Sequence, residues 1–430
     1  MQYLCLLHFL TVATPTPIPD ERHDPYAVLR IPEFRLFVSA RFCITLAMQI
    51  QAVVVGWQIY DITKDPFSLG LIGLVEAIPS ITVALYAGHV ADIVPRKRII
   101  MTVLSVLLFC SLALLFYTLD VGKVLHAFGT LPIYSVIFLS GIARGFMGPA
   151  VFSFMPQLVS DRKLYANAIT WSSTTWQAGS VAGPAIGGLV YAFGGVTAAF
   201  GVDASLVLLS LLLYTFIAGR PLPPSEGPKL KIKESLQTGL RFVFGNQIIL
   251  SALALDMFAV LFGGAVILLP VFASDILKIG PEGLGLLRSA PAIGSVTMAL
   301  FMAYRPITFN AGKKMLWAVA GFGACIIVFG LSKLFWLSFG MLLLSGVLDS
   351  ISVIIRSTLI HTLTPEHMKG RVSSVNNIFV GSSNEIGSFE SGLAAKLMGV
   401  VPSVVFGGTM TILIVAFTAW KADKLRKLSL

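Results

Sequence analysis

Twelve apolar stretches, each close to 20 residues long and separated mostly by short polar breaks, dictate what this chain can fold into. A helix rises about 1.5 Å per residue, so about 20 apolar residues cross the roughly 30 Å hydrocarbon core of a bilayer. The stretches predict spanning helices over residues 36–60, 69–88, 99–119, 132–154, 167–193 and 196–218. After a long polar break they continue over 248–273, 284–303, 315–331, 335–356, 372–395 and 403–420. The fold class expected is an all-α integral membrane protein of twelve transmembrane helices in two six-helix halves. Only 12% of residues are charged and 56% are hydrophobic, with a mean hydropathy of +0.85. A soluble domain carries about 25% charged residues. A soluble enzyme, a disordered chain and a nucleic-acid binder are excluded as first readings.

The formal net charge of +10 would suit a nucleic-acid partner if the basic residues formed one patch. Their positions along the chain point elsewhere. Alternate loops carry Arg96, Lys97 and Arg98; Arg162 and Lys163; Lys229, Lys231, Lys233 and Arg241; Arg305, Lys313 and Lys314; and Lys369 and Arg371. The tail adds Lys421, Lys424, Arg426 and Lys427, while the opposite loops hold only Lys64, Lys123, Lys278, Lys333 and Lys396. Basic residues collect on the cytoplasmic side of a membrane protein. Both termini are therefore expected in the cytoplasm, with the bilayer, not nucleic acid, as the partner.

The segment 219–247 is the only long internal break. It opens with Arg220, Pro221, Leu222, Pro223 and Pro224 and continues as an amphipathic stretch over 230–244, with Leu236, Leu240, Val243 and Phe244 near helical spacing. This predicts a cytoplasmic linker whose helix lies flat on the membrane surface. The resulting organisation is an N-terminal arm over 1–33, a six-helix half over 34–218, the linker, a second half over 248–420 and a tail over 421–430. The apolar residues 1–13 lack a positive flank and precede a proline-rich run. They read as a disordered leader or a misplaced start.

Cys43, Cys110 and Cys325 lie inside apolar runs, and no Cys-x-x-Cys pair occurs. His361 and His367 are six apart, the wrong spacing for a zinc pair on one helix face. No nucleophile elbow, metalloprotease helix or phosphate-binding loop is present. Neither a metal, a cofactor nor enzymatic activity is expected, and energy would have to come from an ion gradient.

Between the second and third spans stand Gly88, His89, Val90, Ala91, Asp92, Ile93, Val94, Pro95, Arg96, Lys97 and Arg98. This resembles the G-x-x-x-D-x-x-G-R-[RK]-[RK] signature of the major facilitator superfamily, with Pro95 in place of a glycine. The fourth span holds Arg144, Gly145, Phe146, Met147 and Gly148, similar to the family's intramembrane arginine motif with Met147 where glutamine is usual. In the fifth span Gly179, Gly183, Pro184, Gly187 and Gly188 resemble the G-x-x-x-G-P-x-x-G-G motif associated with antiporters and exporters. Residues 34–60 and 365–392 resemble the enterobactin-exporter-like branch, bacterial inner-membrane efflux proteins. The resemblance covers about residues 24–428 and implies a twelve-helix fold. It implies a conformational latch at Gly88, Asp92, Arg96, Lys97 and Arg98, in which the aspartate meets the N-terminus of a helix in the other half. It also implies that the glycines of span five allow close helix packing while Pro184 provides a hinge or a seal.

Polar residues at membrane depth are costly and mark paths for water, ions or substrate. Asn377, Gly381, Asn384, Ser388 and Ser391 form one helical stripe on span eleven. Asn377, Asn384 and Ser388 are candidates for a substrate cavity, with Gln51 and Gln58 on the opposite wall; packing between helices is the competing explanation. Glu76, Asp256, Glu385 and Glu390 are candidate proton carriers, Glu390 first, and Arg144 is a candidate coupling residue. Each charge has a structural alternative, as partner of an opposite charge.

These features together predict a monomeric secondary exporter in a bacterial inner membrane, moving an amphipathic organic molecule, a siderophore or a drug, in exchange for protons. An importer of a small metabolite on the same fold, or a non-transporting membrane sensor or enzyme, are the alternatives.

Overall fold

The apolar runs become helices that begin at caps written in the sequence. The computed structural model describes residues 24, 26–119, 128–159, 161–221, 232–304, 310–365 and 368–426. The side chains of a few helical residues within these ranges, including Gly88, Asp92 and Asn377, lie outside the described part, as do residues 1–23. Every regular element among the described residues is a helix.

Before the linker come α1 (Pro32–Thr63), α2 (Pro66–Ile93), α3 (Arg96–Thr118), α4 (Leu131–Leu158) and α5 (Tyr165–Thr215). The linker contributes α6 (Ile232–Gly245). After it come α7 (Gln247–Gly263), α8 (Gly280–Tyr304), α9 (Ala311–Leu331), α10 (Phe335–Leu363), α11 (Lys369–Met398), α12 (Val400–Lys421) and a last turn, α13 (Asp423–Arg426). Proline sits in the first turn of α1, α2 and α4, where its missing N–H costs nothing. Asp65 caps α2 by accepting from the Phe67 N–H at 3.1 Å, and Asn246 caps α7 by accepting from Ile248 and Ile249.

α5 is 51 residues long. Straight, it would extend about 75 Å, more than twice the hydrocarbon core. The chain instead reverses at Gly195, whose φ of 73° and ψ of −178° suit glycine alone. The packing on α1 establishes the reversal. Cβ atoms built on Gly179, Gly183 and Gly187 would meet Thr45, Gln49 and Ile50 in that order, so this leg runs parallel to α1. Past Gly195, Ser210 donates to the Ala40 carbonyl at 2.9 Å and Tyr214 stacks edge-on to Phe37, so the second leg runs antiparallel. The separate fifth and sixth spans of the sequence analysis correspond to these legs. Pro184 does not interrupt the first leg: Gly195 is the one non-helical residue in α5.

Among the described residues, ten helical stretches are long and apolar enough to cross a membrane. α11 is not among them, because its Asn, Ser and Glu residues dilute a 30-residue helix. Phe109, Phe193, Trp317 and Leu413 are exposed, as side chains facing lipid should be.

Two expectations are corrected. The seventh span is not one continuous helix: α7 stops at Gly263, and a short helical turn and a wider turn carry the chain through Pro270 to Ile276. The linker helix does not simply lie flat on the membrane. Val243 is fully buried with Ile249, Leu253, Ile360, Val372 and Val375, and a Cβ on Gly239 would come within 2.9 Å of the Arg371 carbonyl. α6 thus docks on α7, α10 and α11, leaving Phe244 exposed. Leu236 lies outside the residues whose side chains are described.

The helices before the linker meet those after it chiefly where α2 packs on α11 and α5 on α8. One end of the bundle carries the α1–α2 turn, Gly195, the start of α8 and the α11–α12 turn. The other carries the linker, the α2–α3 turn and the described ends of the chain.

Candidate functional site

A hollow of about 260 Å3 lies where the two groups of helices meet. α1 lines it with Gln49, Gln51 and apolar residues, α2 with Ile72, Gly73 and Glu76, and α4 with Ile137, Ser140 and Arg144. From beyond the linker come Ile267 and Pro270 in the broken stretch after α7, Arg288 on α8, and Glu385 and Ser388 on α11. Two acids and two arginines therefore converge at membrane depth on an otherwise largely apolar wall. Such placement marks a binding or conduction site, and a broken helix beside it is a common companion.

The four charges are not equivalent. Arg144 pairs with Glu76 through Nη1 and donates through Nη2 to Gln51 Oε1 at 3.1 Å. Arg288 donates to the Ala52 carbonyl at 3.4 Å and has no carboxylate in salt-bridge contact among the described residues. Glu385 sits within electrostatic reach of Glu76, Arg144 and Arg288 without a direct ion pair among the described residues. A second, larger hollow of about 530 Å3 lies between α6, the start of α7 and α13. It opens to the surface and touches nothing before the linker, so it is not a passage between the two groups of helices.

The structure brings together Gln51, Glu76, Arg144, Glu385 and Ser388 among the residues picked from sequence. It separates the others. Gln58 is buried but does not line the hollow. Glu390 lies off the hollow, on the neighbouring stripe of α11. Asp256 makes a deeply buried ion pair with Arg356 on α10, away from the hollow, which favours the structural alternative for it over the role of proton carrier. The polar stripe also divides. Ser391 donates to the Gly264 carbonyl at 3.4 Å and so faces the end of α7, whereas Ser388 faces the hollow. Toward the linker end Asn384 is exposed, and a Cβ on Gly381 would meet no heavy atom within 4 Å. The Asn384 Nδ2 donates to the Val380 carbonyl of its own helix at 3.0 Å, and no other helix covers this part of the stripe among the described residues. Asn377 lies outside the described side chains. Arg288, an intramembrane arginine, is the charged lining residue to which sequence reasoning assigned no role.

The opposite end is shut by glycine contacts. A Cβ on Gly188 would lie 2.5 Å from the Pro281 carbonyl and 2.9 Å from the Gly285 Cα. One on Gly392 would lie 2.6 Å from the Gly70 Cα, and one on Gly73 2.6 Å from the Ser388 Cβ. These contacts join α5 to α8 and α2 to α11. Gly179, Gly183 and Gly187 instead serve the α5–α1 contact.

Of the latch residues, Gly88 and Asp92 lie outside the described side chains. Lys97 donates to the Thr215 carbonyl at 3.1 Å and the Ile217 carbonyl at 2.5 Å. It caps the second leg of α5, within its own group of helices. The contact expected between Asp92 and a helix of the other half falls outside the described side chains.

A polytopic bundle of helices with a charged hollow at the seam between two groups is the architecture of a membrane transporter, not an enzyme. The fold is that of the major facilitator proteins: the peptide transporter PepTSo of the POT family superposes with a TM-score of 0.71 at 14% identity, over 92% of this chain and 98% of its own. The nucleoside transporter NupG gives 0.71 at 10% identity, over 90% and 99%. A family model described as transmembrane secretion effector matches residues 23–429, and the chain belongs to that family. Its curated relatives include the enterobactin exporter EntS of Escherichia coli O1:K1, 27% identical over 88% of each chain. The enterobactin exporter of Citrobacter koseri is 28% identical over 87% of this chain and 88% of its own.

Proposed function

We propose that this protein is a secondary active exporter of an amphipathic small organic molecule, a siderophore or a hydrophobic drug, driven by exchange for protons. The observation that carries the reading is the hollow between the two groups of helices, charged on both sides and sealed toward one end of the bundle. Six crossings on each side of the linker, counting both legs of α5 and α11, make the twelve spans of two halves, 34–218 and 248–420. Rocking these halves about the hollow would expose it to one face and then the other. The positive loops support a reading with both termini in the cytoplasm of a bacterium and the protein in the inner membrane, which makes the sealed end periplasmic. The enterobactin-exporting relatives support efflux and a siderophore-like cargo.

Glu385 is the preferred proton carrier, because it reaches the hollow without a direct ion pair, whereas Glu76 is held by Arg144. The acid in the last turn of α2, Asp92, serves as the latch of the cytoplasmic side, and Gly188 with Pro184 as part of the seal on the other. The protein acts as a monomer in the bilayer. Flux of enterobactin and of lipophilic dyes into inverted proteoliposomes, with a proton gradient imposed, tests the reading. Uptake that follows the gradient and collapses with a protonophore is expected. Uptake indifferent to the gradient, with the protein shown to be folded, would remove the proton from the scheme.

A further inference from the structure

The sealed end is held by more than glycine contacts. Asp65 uses its two carboxylate oxygens for different tasks. Oδ1 caps α2 by accepting from the Phe67 N–H at 3.1 Å, and Oδ2 receives the Lys396 ammonium at 3.3 Å. Lys396 stands in the last turn of α11, where a cation also suits the helix dipole. Its Nζ lies 4.8 Å from the centre of the Phe67 ring, and Phe67 packs edge-on against Phe389 at 6.0 Å. On another flank of the same end, the Tyr60 hydroxyl at the close of α1 donates to the Asp275 carboxylate beyond α7. Each contact joins a residue before the linker to one after it. Each must break if the two groups separate there. Neither belongs to the hollow, and neither was visible in the sequence motifs.

We propose that Asp65–Lys396 and Tyr60–Asp275 form a polar clasp that holds the linker-free end shut, so that α2 carries an acid at each end: Asp65 for one closed face and Asp92 for the other. The clasp rests on the alternating-access reading above. The Asp65–Lys396 contact is partly exposed, with side chains 33% and 52% accessible. Exposed ion pairs are weak, so removing one should shift the balance of closed and open forms by only about 2- to 5-fold. A weak clasp is what a cycling transporter requires, since a strong one would trap a single state. The contacts act on the same equilibrium, so their losses should multiply.

The test separates the clasp from the cap. Asp65→Asn keeps a good helix cap and removes the charge, whereas Asp65→Ala removes both. Spin-label pairs in full-length protein in nanodiscs, one at Ile62 and Leu397 on the sealed end and one at Ile93 and Ser373 on the linker end, report both faces. Asp65→Asn and Lys396→Gln should each raise the long-distance population at the sealed end about 2- to 5-fold, while the linker-end pair gains a shorter distance. Tyr60→Phe combined with Lys396→Gln should exceed either alone. Distances identical to wild type in all three variants, in protein that still opens when cargo is added, overturn the clasp and leave the transport reading intact. Opening at the sealed end without closing at the linker end supports the clasp and overturns alternating access.

Discussion

Two intramembrane ion pairs, each an arginine with a carboxylate, sit in opposite circumstances. Arg144–Glu76 borders the hollow between the two groups of helices, with side chains 19% and 23% accessible, and has Gln51 as a further partner. Arg356–Asp256 lies inside the second group alone, with side chains 5% and 6% accessible. Ala252, Leu255, Ala259, Ile355 and Leu359 form the apolar core around it. The first pair touches space that a cargo or a proton can enter. The second touches only side chains. Charge at membrane depth is therefore no sufficient sign of function; what distinguishes the pairs is the space next to them.

The comparison can be broken most severely at Arg144. Arg144→Met is expected to drop transport to background while leaving the thermal unfolding temperature little changed, because the Glu76 it abandons borders an open hollow and can hold water. Flux in proteoliposomes beside a thermal-shift curve checks both halves of the statement. Arg356→Met should give the converse. Losing one partner of a sealed pair costs about 3–5 kcal/mol, seen as reduced folded yield and a lower unfolding temperature. Flux per folded molecule should persist.

A smaller effect is expected at the seam. Gly188→Ala would place a Cβ against the Pro281 carbonyl and the Gly285 backbone, none of which is a flexible side-chain tip. Overpacking of this kind costs about 1–3 kcal/mol, charged against the closed form alone. A thiol introduced by Ser388→Cys in the hollow should then react faster with an impermeant reagent added at the linker-free face. The smallest effect belongs to Glu390. Glu390→Gln should change flux less than about two-fold, a difference of under half a kcal/mol in barrier height, whereas Glu385→Gln should abolish dependence on the proton gradient. Equal losses in both variants would show that the hollow is not what selects the coupling acid.

The fold was nearly all legible in advance, because a span is a local property: twenty apolar residues and a break suffice, and even the reversal at Gly195 is foreshadowed by the Gly194–Gly195 pair between two runs. The site was legible only in part. Helical periodicity correctly aligned Ser388 with Asn384, but it says nothing about where the stripe crosses from the hollow to the end of α7, as it does by Ser391. Asp256 and Glu76 look alike in sequence, since each is a lone acid in an apolar run. Their difference arises from partners more than sixty residues away, Arg356 and Arg144. The docking of α6 was hidden for the same reason: an amphipathic helix shows its apolar face but not whether lipid or protein will cover it.

In the proposed cycle the charged hollow is the passage, entered from the linker end in the resting protein. Ser388→Cys in a cysteine-free background tests this directly, with a membrane-impermeant thiol reagent applied to sealed vesicles of known orientation. Modification is expected from the linker face, with protection from the opposite face while the glycine seam is closed. Reaction only from the opposite face, or no reaction from either in a variant that still transports, would contradict it.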